Sequence, residues 1–239
     1  TLFTNIIGTL NVIKLTSLYG SGKLINFTSD KVYQNLNNHY LFKENNIILG
    51  SDPYSFSKSC SDLIGQNIDK HLNFIKISTI RSGNIIGGGD WSDFRLFSDY
   101  YKSYLNNKVL TIRNPNYIRP WQNVINPIYI INQIIKKNNS KMYDTFNIGP
   151  EKNNFTVKKI IDKLNLLNNK KVKIKILNKK EKKESRSLRL NISKSKKIFH
   201  LPNTNMNTDL KKINDWYLKS FSQNNMYNDS IKQINDYIG

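Results

Sequence analysis

The chain has 239 residues, a single cysteine and a formal charge of +20, and 38% of its residues are hydrophobic. This composition supports a globular fold with a real core, and it excludes an intrinsically disordered chain and an intrachain disulfide. No apolar run reaches the roughly 18 residues of a membrane span, and the first residues do not resemble a signal peptide, so we expect a cytoplasmic protein that does not enter the membrane.

The positive charge has two interpretations. Lysine supplies most of it, asparagine is frequent and alanine is absent, which indicates a compositional bias spread along the whole chain. The strongest basic cluster is residues 168–185, where the segment KVKIKIL alternates charged and apolar residues as an edge strand with one solvated face would. We favour a solvated surface, with an anion-attracting surface as the alternative.

Apolar residues at three-to-four spacing open the chain and predict a helix. They share one face: Phe3, Ile6, Ile7, Leu10 and Ile13. Because this helix pattern begins at Thr1 without a cap, we expect a fragment or a chain with an altered start.

Strands and helices then alternate. We predict strands at 23–29, 73–80, 108–112, 143–149 and 171–177, helices in the second half of 52–72 and at 93–107, 127–137 and 155–167 (capped by Thr156), loops at 81–91 and 113–124, and two more helices at the end. This order predicts an α/β fold with a parallel sheet, followed by a mixed region after about Gly89.

The spacing of Tyr54 and Lys58 places both side chains on one face of a helix. An ammonium near a phenol favours the phenolate, so Tyr54 is a plausible base for a hydroxyl group. Taken alone, this spacing more often marks an exposed pair. Ser29 favours the catalytic interpretation. It ends a strand, where ligands bind in open α/β sheets, and its hydroxyl can hydrogen-bond the same substrate oxygen.

A strand-end serine followed by Tyr-x-x-x-Lys resembles the extended short-chain dehydrogenase/reductase superfamily. FTSDKVY, SDPYSFSKS, IRSGNIIGGGDW, IRNPNYIRPWQNV and FNIGP also occur in the order and spacing of the CDP-glucose 4,6-dehydratases. SDK, where the dTDP-glucose enzymes usually carry Thr-Asp-Glu, and RNPNYIRPW are specific within the superfamily. The resemblance implies part of a Rossmann-like NAD domain at 1–90, and mainly a sugar-nucleotide domain at 91–239 with segments that return to the sheet.

The resemblance also implies a reaction. C4 of a CDP-linked glucose is oxidised with bound NAD, water is eliminated across C5 and C6, and the hydride returns to C6. Ser29, Tyr54 and Lys58 would act in the oxidation, with Tyr54 and Lys58 also contacting the cofactor. Asp30 would protonate the departing C6 hydroxyl. Lys31 would either remove the C5 proton as a neutral amine or stabilise the enolate as an ammonium, and the sequence leaves both open.

Four residues match family positions near the sugar nucleotide: Asn84, Arg113, Arg119 and the weaker candidate Arg186. A guanidinium suits a diphosphate because it donates in a fork. Trp121 is expected to pack on Arg119 or on the base. The plain alternatives are a turn role for Asn84 and a surface charge for Arg113.

Some family features are missing or altered. No G-x-x-G-x-x-G turn opens the chain, and the glycines at 87–89 do not begin a helix, so we expect an incomplete NAD site, an open sheet edge and an inactive fragment. The full-length protein is expected to be a homo-oligomer. Asn123, Lys183 and Asn191 depart from the family pattern. The three histidines, His39, His71 and His200, show no ligand spacing, so we predict no metal site.

Two other functions stay open. One is another NAD-dependent sugar-nucleotide enzyme, of the dTDP-glucose or GDP-mannose dehydratase type or an epimerase, although an epimerase has no use for Asp30 with Lys31. The other is a decayed basic binding protein. Only the charge supports it, since the basic residues are not interleaved with stacking aromatics, and we predict no nucleic-acid partner. The resemblance would place the enzyme in 6-deoxyhexose synthesis, for instance for lipopolysaccharide O-antigen.

Overall fold

A computed structural model describes residues 1–19, 22–36, 41–71, 75–137, 140–151, 155–177, 185–202 and 204–238. The helices are α1 Leu2–Leu18, α2 Pro53–His71, α3 Leu96–Leu105, α4 Ile125–Lys136, α5 Val157–Leu167, α6 Ser193–Ile198, α7 Met206–Ser220 and α8 Tyr227–Ile238. The strands are β1 Gly22–Phe27, β2 Ile75–Ser82, β3 Ile85–Ile86, β4 Leu110–Ile112, β5 Gln122–Asn123, β6 Thr145–Ile148 and β7 Ile174–Ile176.

The central sheet has three parallel strands in the order β1-β2-β6. The middle strand β2 pairs with the whole length of β1 through its first six residues and with β6 at its carboxyl end. Its two faces are covered by different helices: Ile77 packs in a cluster with side chains of α1 and α2, and Ile80 packs in a cluster with side chains of α4. The predicted α/β fold with a parallel sheet is confirmed. Cover on both faces explains why every residue of β2 except Lys76 is buried, the polar ones included.

The first helix is confirmed, but only one residue of its predicted apolar stripe is buried. Ile13 is 3% exposed, whereas Phe3 and Leu10 are 77% and 38% exposed. The reason is that α1 docks on α2 through polar residues, since Asn5 and Thr9 hydrogen-bond to serine hydroxyls of α2 at 2.8 Å. Long-range hydrogen bonds, and not the apolar spacing, set the rotation of this helix.

The sheet has an open side next to α1. Within the described ranges β1 pairs with β2 alone, so its other edge carries unpaired backbone groups. Several apolar side chains of α1 are exposed beside it: Leu2, Phe3, Leu10, Val12, Leu15 and Leu18. The open edge that the sequence predicts is therefore present, and an exposed apolar surface lies beside it.

A second core lies away from the sheet, between α3, α5 and α7. The strand β4 borders it and pairs in parallel with β7, which confirms the edge strand predicted from KVKIKIL. Thr156 caps α5, its Oγ accepting from the Lys159 amide at 3.1 Å, as predicted. Of the described helices, none is long and apolar enough to cross a membrane.

Three details differ from the sequence predictions. The segments predicted as loops contain β3 and β5, which pair with each other over two residues each. All of residues 53–71 are helical, not only the second half of the predicted segment. Three helices, α6, α7 and α8, close the chain where two were predicted. Two-residue strands leave no periodic pattern in the sequence, so only the tertiary pairing defines them.

Candidate active site

The predicted acid/base residues lie at the carboxyl end of β1, which the first turns of α2 contact. Ser29 follows β1 and caps a 3-10 helix at Asp30–Val32, its Oγ accepting from the Lys31 amide at 3.2 Å. The same hydroxyl donates to Oδ1 of Asp30 at 3.1 Å. The serine therefore both starts the turn and orients the neighbouring carboxyl.

Asp30 is a buried acid with one uncommitted oxygen. Its side chain is 3% exposed, and Oδ2 has no hydrogen-bond partner among the described residues. A Cβ atom on Gly83 would lie 2.9 Å from Oδ2 and 2.1 Å from the Pro120 ring, so a larger residue at position 83 would not fit. Burial raises the pKa of Asp30, and the charges of Lys31 and Arg119 only partly oppose this. A carboxyl group that keeps its proton to higher pH suits a general acid.

Tyr54 and Lys58 occupy the first turns of α2. Asp52 caps this helix, its Oδ1 accepting from the amides of Tyr54 and Ser55 at 3.0 Å each. The Lys58 ammonium donates to the Phe27 carbonyl at the end of β1 at 3.1 Å, and burial lowers the pKa of Lys58. Tyr54 is 43% exposed. The helix thus presents an accessible phenol beside the strand that leads to Ser29.

Lys31 lies between the acid and the phenol. Its Nζ is 5.9 Å from the centroid of the Tyr54 ring, and its charge acts on both Asp30 and Asp52. A small cavity of about 40 Å³ opens here, and it is lined by Lys31, Tyr33, Asn35, Ser51, Asp52, Ser55, Ser185 and Leu188. The predicted elimination residues and the predicted oxidation residues therefore meet at Lys31.

Arg119 and Arg186 belong to neighbouring segments. Arg119 is 5% exposed, and its Nη1 donates to the carbonyls of Ile118 and Ser185 at 2.9 and 3.0 Å. The Ile118 amide donates to the Arg186 carbonyl at 3.0 Å, so the two segments run side by side. The Arg186 side chain is exposed. The structure thus brings together the two segments that carry these predicted phosphate ligands, with Arg119 close enough for its charge to act on Asp30.

The remaining predicted substrate residues are more dispersed. Asn84 is half-buried after β2, and its carbonyl accepts from the Gln122 amide at 2.9 Å. Arg113 is exposed directly after β4. Trp121 does not pack on Arg119 as expected but is buried in the second core against Phe97, 6.0 Å between ring centroids. The ring beside the Arg119 guanidinium is that of Tyr117, at 5.3 Å.

Two residues with clear roles escaped the sequence analysis. Asp52 caps the helix that carries Tyr54, and its position just before a helix-opening proline is the signal that could have revealed it. Arg81 is fully buried and pairs with Asp62 of α2 at 2.8 Å, while its Nη1 donates to the Tyr33 hydroxyl at 2.9 Å. No local pattern announces this second contact, because 48 residues separate its partners.

The altered positions find partners of their own where they are described. Asn123 Nδ2 donates to the Tyr237 hydroxyl at 3.0 Å, and Asn191 Oδ1 accepts from the Ser193 amide at 3.0 Å. Lys183, His39 and the side chain of His71 lie outside the described residues. The part of the chain that the structure describes holds no cluster of metal-ligating side chains.

Comparison with known proteins gives the family. The sequence model of the family described as "GDP-mannose 4,6 dehydratase" matches residues 1–215. A curated CDP-glucose 4,6-dehydratase from Salmonella typhimurium is 31% identical over 254 residues, which cover all of this chain and 70% of that protein.

Solved structures agree on the fold. A dTDP-glucose 4,6-dehydratase from Bacillus anthracis, in complex with NAD, superposes with a TM-score of 0.79 at 22% identity, over 92% of this chain and 70% of that one. A UDP-glucuronic acid 4-epimerase from Bacillus cereus, in complex with UDP-glucuronic acid and NAD, gives a TM-score of 0.81 at 20% identity, over 91% and 68%. The fold is that of the Rossmann-type dehydratases and epimerases, and with the family match it shows that this chain belongs to the GDP-mannose 4,6-dehydratase family of sugar-nucleotide enzymes.

Proposed function

We propose that the chain carries the catalytic and substrate-binding part of an NAD-dependent CDP-glucose 4,6-dehydratase. The observation that carries the proposal is that two acid/base pairs lie together at the carboxyl end of β1. One pair is Tyr54 with Lys58 and the other is Asp30 with Lys31. Oxidation alone, as an epimerase performs it, needs only the first set. The 31% identity to the Salmonella enzyme supports CDP-glucose as the substrate.

The residues present fit one end of NAD. Lys58 lines an open cavity of about 240 Å³ between α1 and β1, and with Tyr54 it would hold the nicotinamide ribose. NAD, when bound, takes up a hydride from C4 and returns it at C6. Among the described residues no glycine-rich turn opens a helix for the pyrophosphate, so these residues would hold only the nicotinamide ribose end of the cofactor.

In the oxidation step the Tyr54 oxygen accepts the proton of the C4 hydroxyl. The Lys58 ammonium, one helical turn away, favours the phenolate that this requires. The Ser29 hydroxyl hydrogen-bonds the same substrate oxygen. Asp52 contributes indirectly, because it holds the first turn of α2 and with it the backbone of Tyr54.

In the elimination step Asp30 donates its proton to the departing C6 oxygen. The burial that raises the pKa of Asp30 keeps this proton available. Lys31 lies beside Asp30 and Asp52, on whose carboxyl groups it acts, and beside the Tyr54 ring. We therefore assign Lys31 to the C5 side of the elimination: after releasing its own proton to solvent it takes the C5 proton, and the ammonium that this restores stabilises the enolate.

Arg119 and Arg186 are proposed to bind the diphosphate, with Asn84 and Arg113 completing the nucleotide-sugar contacts. The adjacency of the two segments that carry Arg119 and Arg186 supports this assignment. A division at about residue 90, into part of the cofactor domain and mainly the substrate domain, belongs to the same proposal. So does a homo-oligomer, which the exposed apolar side chains of α1 favour.

The test is substrate choice. The complete enzyme is incubated separately with CDP-glucose, dTDP-glucose and GDP-mannose, and formation of the 4-keto sugar is followed by its absorbance. We expect turnover of CDP-glucose with loss of water. Turnover of a different nucleotide sugar alone would refute the CDP assignment, and interconversion of epimers without loss of water would refute the dehydratase assignment.

A further inference from the structure

The glycine run at residues 87–89 and the loop that continues to Trp91 have no role in the proposed chemistry, yet the structure accounts for them. A Cβ atom on Gly88 would lie 2.3 Å from Cδ2 of Trp216, so only glycine lets this indole of α7 lie against the loop backbone. Gly89 has a φ of 91°, in the region that favours glycine. The run is therefore shaped to receive an aromatic side chain.

Helices α7 and α8 hold this loop together. Trp216 Nε1 donates to Ser230 Oγ of α8 at 2.9 Å. The next residue, Tyr217, donates its hydroxyl proton to the Asp90 carbonyl at 2.8 Å, and the Trp91 ring stands edge-on to it with centroids 5.0 Å apart. The loop is thus fixed by two successive residues of α7, and α8 fixes one of them.

The same two helices hold a second segment. Asn123 of β5 donates from Nδ2 to the hydroxyl of Tyr237 on α8 at 3.0 Å, and this hydroxyl donates to Oδ1 of Asp209 on α7 at 2.6 Å. Asp209 is 2% exposed. The Lys212 ammonium lies 4.3 Å from the centroid of the Tyr237 ring, and this cation–π contact helps to hold the ring in place.

The two held segments are paired with each other and lead to the proposed site. The Gln122 amide donates to the Asn84 carbonyl and the Val124 amide to the Ile86 carbonyl, both at 2.9 Å. Asn84 precedes β3 and Arg119 precedes β5. A ribbon of two residues a strand is too short to be stable alone, so its neighbours must keep it in register.

We propose that Trp216 and Tyr237 are positioning residues of the nucleotide-sugar site. With Ser230 and Asp209 they form a C-terminal clamp that holds the β3–β5 ribbon from behind, and so fix the separation of Asn84 and Arg119 for a nucleoside diphosphate. The inference rests on the proposed function. Trp216, Ser230 and Tyr237 all follow residue 215, where the family match ends, so the family match alone does not assign them this role.

The test compares Tyr237→Phe, which removes only the hydroxyl between Asn123 and Asp209, with the control Tyr227→Phe on the same helix, where the ring is 67% exposed. Amide hydrogen exchange is measured on peptides covering 84–91 and 118–124, and CDP affinity is measured by calorimetry on the whole chain. We expect faster exchange in both peptides and about five-fold weaker CDP binding in Tyr237→Phe alone, the effect of one lost buried hydrogen bond.

A change that was merely structural would lower the melting temperature and speed exchange throughout the chain. Ser230→Ala, which removes only the acceptor of the Trp216 indole, should repeat the local pattern at 84–91 and serves as the second variant. Unchanged exchange in both peptides, or unchanged CDP affinity in Tyr237→Phe, would overturn the inference. If the unaltered chain fails to bind CDP at all, the proposed function falls and the role of the clamp in binding falls with it.

Discussion

The two halves of the candidate site differ in how complete they are. Asp30 and Arg119 are 3% and 5% exposed and are enclosed by the chain's own segments. Tyr54 is 43% exposed, and Lys58 borders an open cavity beside the edge of β1 that no described strand pairs with. The described residues therefore enclose the proposed elimination and substrate side by themselves, whereas the proposed oxidation side presents its groups to a surface that they do not close.

The sharpest way to test this division is Tyr54→Phe in the complete enzyme. The phenol oxygen is proposed as the base for C4 oxidation, so the rate should fall by about 10² to 10⁴-fold, the usual value of general-base help. The melting temperature should stay unchanged because the ring is kept. Tyr19→Phe, in which the altered ring is 89% exposed, is the matched control. Near-normal turnover of Tyr54→Phe would remove this residue from the mechanism.

Asp30→Asn tests the other half of the site, the proposed elimination side. The variant should still oxidise C4 but lose water at least about 10²-fold more slowly, since the amide cannot donate the acid's proton. Reduced cofactor should then accumulate on the enzyme. A rapid-mixing experiment that follows the absorbance of the reduced nicotinamide would detect it. If no reduced cofactor appears while Tyr54 is intact, the separation into two acid/base sets is wrong.

Ligand binding by the 239-residue chain tests directly whether the substrate side is more complete than the oxidation side. Calorimetry should show binding of CDP, through the enclosed substrate side, and no useful binding of NAD, since only the nicotinamide ribose end finds residues here. Turnover of CDP-glucose by this chain alone should be undetectable. Micromolar NAD binding by a monodisperse sample would contradict the asymmetry and place the cofactor on residues other than those proposed.

Arg119→Gln should shift the pH dependence of the rate of water loss. Burial raises the pKa of Asp30 and the Arg119 charge opposes it, so removing the charge should raise this pKa further. Water loss requires protonated Asp30, and its alkaline limb should therefore move to higher pH. Arg119→Lys keeps the charge and should leave the limb in place while weakening diphosphate binding. A limb that moves equally in both variants would show that the charge is not the cause.

The smallest effect is expected at Asp52, the cap of α2. Asp52→Ala should cost about 1 kcal/mol of unfolding free energy, measured by urea denaturation, and Asp52→Asn less, because an amide oxygen still caps. Burial pushes the pKa of Asp52 upward, but the hydrogen bonds from Ser55 and the Lys31 charge outweigh it and lower the pKa. Its stabilisation should thus be present above pH 4 or so and be lost as the pH falls through the lowered pKa. Equal stability of the three proteins at neutral pH would contradict the capping role.

The sequence by itself determined the features that depend on neighbouring residues. Tyr54 and Lys58 share a face because one helical turn separates them, and Thr156 caps α5 because its hydroxyl reaches an amide three residues on. The order of strands and helices, and the resemblance in SDK and RNPNYIRPW, gave the fold class and the family. Each of these signals is local, and local periodicity and capping are written directly in the order of the residues.

Only the tertiary structure decided what depends on distant partners. Asp30 becomes a buried acid because Gly83 lies so close that no larger residue would fit, and Arg119 turns inward because the Ser185 carbonyl, 66 residues away, accepts a hydrogen bond from its guanidinium. The exposed side of α1 follows from its hydrogen bonds to α2, and the glycine run was explained only by the indole of Trp216. Burial and long-range contacts set these properties, and no stretch of the chain contains both partners.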